Sequence, residues 1–157
     1  MWVYFFAYGH NMNVANLKRA GIEPMEQQPA VLEDFRLVFN KPGPRPGEGY
    51  ANIEPDPGSR VEGVLYSLQE QDLEKLDSLV GTPHAYERHT LPVRTAEGET
   101  VRAYVYRANP AVVRPNLKPS TAYLLDLLAA RALLSPEYVR MLSEIETLET
   151  ALRNPPA

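Results

Sequence analysis

An α+β fold, strands first and helices last, is what the order of patterns along this chain predicts. Three observations carry the prediction. Strand-like runs dominate the first two thirds, the pattern turns helical from Pro119, and the two do not alternate as a βαβ chain would. With 157 residues, a 44% apolar share and no repeat or linker, the chain is expected to form one domain over residues 1–157, with a loose tail from about 154.

The first run, Trp2 to Tyr8, is rich in aromatics and reads as a buried strand. It stops at Gly9 and turns polar in GHNMN. A short helix follows from Asn13, a good N-cap, to Gly21, a good residue just past a helix end. Ala30–Leu32 and Arg36–Asn40 are strand-like. KPGPRPGEG, residues 41–49, can be neither helix nor central strand, so a surface loop or flap is expected there. YANIE and RVEGVLYSL are the next strands, with PDPGS as the turn between them.

Ser67 with Glu70 has capping-box spacing and opens a helix whose face is Leu68, Leu73, Leu76, Leu79 and Val80, ending near Gly81. AYERHTLPVRT and TVRAYVYRA form a hairpin around Glu97-Gly98. After Pro119 come two helices. The first is STAYLLDLLAARALL; the second is capped by Ser135 with Pro136 at its first position, and runs to about Arg153. Val139, Leu142, Ile145, Leu148 and Leu152 are its apolar stripe.

Composition excludes several classes of function. The formal charge of −4 is spread out, with no Lys/Arg cluster, so no nucleic-acid partner is expected. The first apolar run is too short to span a bilayer and has no basic flank, so no membrane partner is expected and the chain reads as soluble and cytoplasmic. Having no cysteine excludes disulfides, thiolate metal sites and a cysteine nucleophile. His10, His84 and His89 are scattered, with no metal-binding spacing, and no Walker loop or G-x-S-x-G elbow exists. Neither metal nor cofactor is expected. His89 and Glu87 alternate on a strand and are expected to face solvent.

What remains is the turn after the first strand. Ending a buried strand in Y-G-x-N leaves several backbone N–H groups without partners, and such a turn can cradle a carboxylate. A plain strand, turn and helix cap would use the same residues.

The motifs FAYGHNM, VEGVLYSL, LDSLVGTPHAYERHTLPV and KPSTAYLLDLL, in that order, resemble the γ-glutamylcyclotransferase family, including its AIG2-like branch. The resemblance runs from residue 4 to about 142, and its most specific element is the opening loop, where the family typically has Y-G-S-N. It implies a small mixed β-barrel or sheet with flanking helices and a pocket beside that loop. The implied reaction closes the glutamyl part of a small-molecule γ-glutamyl ligand into 5-oxoproline and frees an amine or amino acid. It further implies that Tyr8, Gly9, His10 and Asn11 grip the glutamyl end and that Tyr86, Tyr104 and Tyr123 line the pocket.

Two positions depart from the family pattern. Its catalytic base is a glutamate just before a glycine, in a stretch like L-D-x-x-E-G; here Val80 precedes Gly81. His10 stands where serine is usual. Valine accepts no proton, so three readings stay open: a binding protein without catalysis for a γ-glutamyl or related amino-acid ligand, proton transfer by another group, or slow turnover by proximity alone. His10 is the first candidate base, since imidazole has a reference pKa of about 6.5. Asp77 and Glu87 are weaker candidates, the first short and the second pointing to the opposite face of its strand.

Overall fold

A computed structural model describes residues 1–153; the loose tail expected from about 154 lies outside them. Five strands close into a barrel in the order β1-β3-β2-β4-β5. β1 is Trp2–Ala7, β2 Glu26–Pro42, β3 Gly49–Gln69, β4 Tyr86–Thr95 and β5 Thr100–Ala108. Four pairings are antiparallel, and β1 closes the barrel against β5 in parallel, with Phe5 beside Tyr104. This is the α+β fold the sequence predicts.

The two strand fragments expected at 30–32 and 36–40 are one strand, β2. It pairs with β3 along almost its whole length, with register shifts after Glu33 and after Val38. Such bulges add twist, which strands of 17 and 21 residues need in order to curl into a barrel. The expected turn PDPGS lies inside β3 beside the first shift, where Asp34 and Gly58 both take positive φ and the Gly58 amide donates to Asp34 Oδ1. Of the Pro/Gly stretch, Lys41 and Pro42 end β2 and Gly49 begins β3.

Among the described residues five α-helices flank the barrel: α1 Val14–Arg19, α2 Leu73–Val80, α3 Thr121–Leu128, α4 Pro136–Ser143 and α5 Leu148–Arg153. Asn13, Ser120 and Ser135 cap three of them, each accepting a backbone N–H. The capping box expected at Ser67 does not form. Ser67 and Leu68 belong to β3, where hydrogen bonding to β1 holds them, so α2 starts later and buries only Leu73 and Leu76. Its end at Gly81 is as expected, with φ of 78°.

The last helix is likewise two helices, broken after Ser143. Leu142 and Leu148 are buried and Val139 and Ile145 pack against the core, so the apolar stripe closes the barrel's outer layer; the Leu152 side chain lies outside the described ones. Phe6, Leu32, Ile53, Val61, Leu65 and Tyr66 are fully buried, and because Leu65 and Tyr66 follow each other in β3 both faces of that strand are covered. No helix among the described residues is long and apolar enough to cross a membrane.

Candidate functional site

The parallel closure decides where the site lies. Because β1 and β5 run the same way, the loop leaving β1 emerges at the C-terminal end of β5. There a cavity of about 420 Å³ opens between that loop, the end of α2, the start of β3 and α3. Its volume falls within the ~300–1,000 Å³ range of small-molecule sites. Tyr8, Gly9, His10, Asn11, Tyr86 and Tyr123 all line it, and so does Val80.

The loop is held from below. Buried Tyr66 donates its hydroxyl to the carbonyl of Asn11 at 2.7 Å, and the Met12 carbonyl is within 3.2 Å of the same oxygen. With these carbonyls drawn toward the barrel, the N–H groups of Gly9 and Asn11 have no backbone partner among the described residues. The His10 amide faces the Tyr123 hydroxyl oxygen, which also accepts from Ala51 N at 3.0 Å. Asn11 is buried, and its Oδ1 has no hydrogen-bond partner among the described residues.

Most of the phenols are committed to the fold. Tyr8 donates to the Tyr106 carbonyl at 2.6 Å and Tyr86 to the Ala51 carbonyl at 2.8 Å. Tyr106 donates to Asp77 Oδ1 at 2.7 Å. Burial pushes Tyr8, Tyr86, Tyr106 and Tyr123 all above the usual phenol value. They therefore stay protonated at neutral pH and cannot serve as bases. Tyr123 differs from the others in that its oxygen accepts the Ala51 N–H, leaving its own proton for another acceptor.

Tyr104 does not line the cavity. It shares a face of β5 with Tyr106, but it lies two residues back from the end where the loop emerges, and the Arg88 guanidinium sits 5.1 Å over its ring. Tyr106 takes the place expected for it. Sequence reasoning also passed over Tyr50 and Lys41, both on the cavity wall, and Asp126. Asp126 had a readable signal: it lies three residues after Tyr123, on the same helical face. Its Oδ2 is 3.2 Å from His10 Nδ1, and Asn13 Nδ2 donates to its Oδ1 at 3.0 Å. Asn16 Nδ2 donates to the His10 carbonyl at 2.9 Å and lies 3.3 Å from the ring Nδ1.

No Asp or Glu lines the cavity. Asp77 is held by Tyr106 and by Arg88 at 2.9 Å, outside the lining. Glu87 pairs with His89 at 3.5 Å, also outside it.

Gly9 is required by close approach, since its φ of −123° suits any residue. An added Cβ would stand 2.9 Å from Tyr123 Oη and 3.1 Å from Ala51 Cβ. Gly9→Ala is therefore expected to cost about 1–3 kcal/mol by overpacking, read as a lower urea midpoint. An unchanged midpoint would show that Tyr123 can move aside freely.

Taken together, barrel and loop define a protein with a tyrosine-walled small-molecule cavity whose loop presents backbone donors. Comparison with known proteins makes this specific. The sequence profile described as gamma-glutamyl cyclotransferase, AIG2-like, matches residues 5–125, and the chain belongs to that family. A Bos taurus gamma-glutamylcyclotransferase is 28% identical over 148 residues, covering 90% of this chain and 78% of the bovine one. A solved gamma-glutamyl cyclotransferase superposes with a TM-score of 0.80 at 25% identity, covering 94% of this chain and 89% of its own. The crystal structure of an uncharacterised human protein also gives 0.80, at 26% identity, with 93% and 89% covered.

Proposed function

We propose that the cavity binds the glutamyl part of a γ-glutamyl compound and that the chain closes it to 5-oxoproline slowly, without a carboxylate base. The observation carrying this reading is the meeting of partnerless loop amides with a wall that holds Val80 and no Asp or Glu. The amides of Gly9 and Asn11 suit the α-carboxylate, and the unpartnered Asn11 Oδ1 suits the α-amine. The spare Tyr123 proton suits the oxyanion that forms on the γ-carbonyl.

In this reaction the α-amine nitrogen bonds to the γ-carbonyl carbon and the bond from that carbon to the leaving amine breaks. A proton leaves the attacking nitrogen and ends on the departing one. Both reactants sit in one molecule, so holding them in near-attack geometry can supply up to about 7–11 kcal/mol. Proton transfer falls to His10. An Nδ1–H directed at Asp126 leaves the Nε2 lone pair to accept, the arrangement that orients catalytic imidazoles elsewhere.

A second reading, binding without turnover, is favoured by the acid-free wall and by the engagement of His10 with Asp126 and Asn16. One assay separates the two. Incubated with γ-glutamyl dipeptides and amines, the chain is expected to release 5-oxoproline slowly, and His10→Ala to lower that rate at least ~tenfold. An undiminished rate in His10→Ala would remove His10 as base. No product at all, with 5-oxoproline still raising the melting temperature by mass action, would favour the binding protein.

A further inference from the structure

We propose that Lys41 reads the released half of the γ-glutamyl ligand, selecting a leaving amine that carries a carboxylate over one that carries none. This rests on the γ-glutamyl reading above and adds the chemistry of the leaving group to it.

A bulge aims the side chain. Val38 pairs with Asn52 but Lys41 pairs with Tyr50, so the register slips by one residue between them. Since strand side chains alternate faces, a one-residue slip turns over everything beyond it. Lys41 comes to oppose Tyr50, and opposed residues of an antiparallel pair share a face. Its Nζ lies 5.5 Å from the centre of the Tyr50 ring and 5.8 Å from that of Tyr86, on the cavity wall. Contacts of this kind favour the charged ammonium.

Among the described residues Lys41 makes no ion pair, and its Nζ donates to the Pro42 carbonyl at 3.2 Å. An ammonium has three donors, so capacity remains for a ligand. Burial lowers its pKa from the usual lysine value, the mark of a charge partly removed from water, where attraction to an anion is stronger.

Position supplies the selectivity. The rings of His10 and Tyr123, and then of Tyr123 and Tyr50, lie nearly parallel at 6.2 and 5.0 Å. The glutamyl-gripping loop is at one end of this series and Lys41 at the other. A ligand held by its glutamyl end extends its γ-amide substituent toward Lys41. In a γ-glutamyl amino acid that substituent ends in a carboxylate, whereas in a γ-glutamyl amine it does not.

Calorimetry on the full chain tests this with γ-glutamylglycine, its decarboxylated counterpart γ-glutamylmethylamide, and 5-oxoproline. The dipeptide is expected to bind about tenfold tighter than the methylamide or better. Lys41→Met should bring that ratio near one, while Lys41→Arg keeps it above one. A wild-type ratio near one, or a ratio preserved in Lys41→Met, overturns the proposal while leaving the γ-glutamyl reading in place. Absence of binding by all three ligands overturns both. Should Lys41→Met not fold, the wild-type ratio must still fall between ~0.01 and ~0.5 M salt as the charges are screened; a ratio indifferent to salt overturns the proposal.

Discussion

Val80→Glu raises the rate of 5-oxoproline release, by about 10² to 10⁴, the usual worth of a positioned general base. Val80 ends α2 and is half-buried on the cavity wall, one residue before the helix-terminating Gly81. A glutamate there would bring the cavity its first carboxylate, in a lining whose tyrosines are all held protonated by burial. The added charge would also offer the ligand's α-ammonium a counter-ion, so the Michaelis constant should fall as the rate rises. Measured beside wild type with γ-glutamyl dipeptides, a rate unchanged within twofold would mean that the loop, Asn11 or Tyr123 no longer aligns the amine with the γ-carbonyl. In His10→Ala the gain from Val80→Glu should persist, because the new carboxylate replaces the imidazole's role.

Glu62→Ala should lower stability by about 3 kcal/mol, a drop of roughly 6–12 °C in Tm for a chain of this size. Glu62 is buried on β3, 6% exposed, and joins the barrel to α4. One carboxylate oxygen accepts from Ser135 N at 2.8 Å and the other from Ser135 Oγ at 2.6 Å. Ser135 in turn accepts from Tyr138 N, so the cap of α4 is fastened to the strand wall by charge-assisted hydrogen bonds. Alanine removes both acceptors and strands the cap. Glu62→Gln keeps one acceptor and is expected to lose about half as much. A Tm shift under ~2 °C for Glu62→Ala would mean that Tyr138 and Leu142, both buried, hold α4 by packing alone.

Local chemistry was readable at several places where it acts on neighbours in the chain. Asn13 and Ser135 cap helices as expected because side chain and amide lie within three residues of each other. The β4–β5 hairpin turns at Gly98, whose φ of 86° suits glycine. Ser67 misled because the same residues serve two patterns: capping spacing points to a helix, but pairing with Tyr4 and Glu26 across the sheet keeps it in a strand. The long strands β2 and β3 were read as fragments, since bulges and internal prolines break the alternation that marks a strand.

In the site the same division holds. The turn Gly9–Asn11 was legible from its own residues, and Tyr86, Tyr123 and Val80 were placed beside it by resemblance to the family. The resemblance points to Tyr104, whereas Tyr106, on the same face of β5, is the one that lines the cavity. Only the parallel pairing of β1 with β5 determines which end of that face meets the loop.

By itself, then, the amino-acid order determined the α+β class, the family, the capped helices and the loop with open backbone donors. The closed barrel decided the rest: Lys41 turned inward by one extra residue, Asp126 brought to His10 from another helix, and Glu62 fastened to Ser135. The physical reason is range. Caps and turns are settled by atoms a few residues apart, whereas register and strand order depend on which distant segments exclude water together.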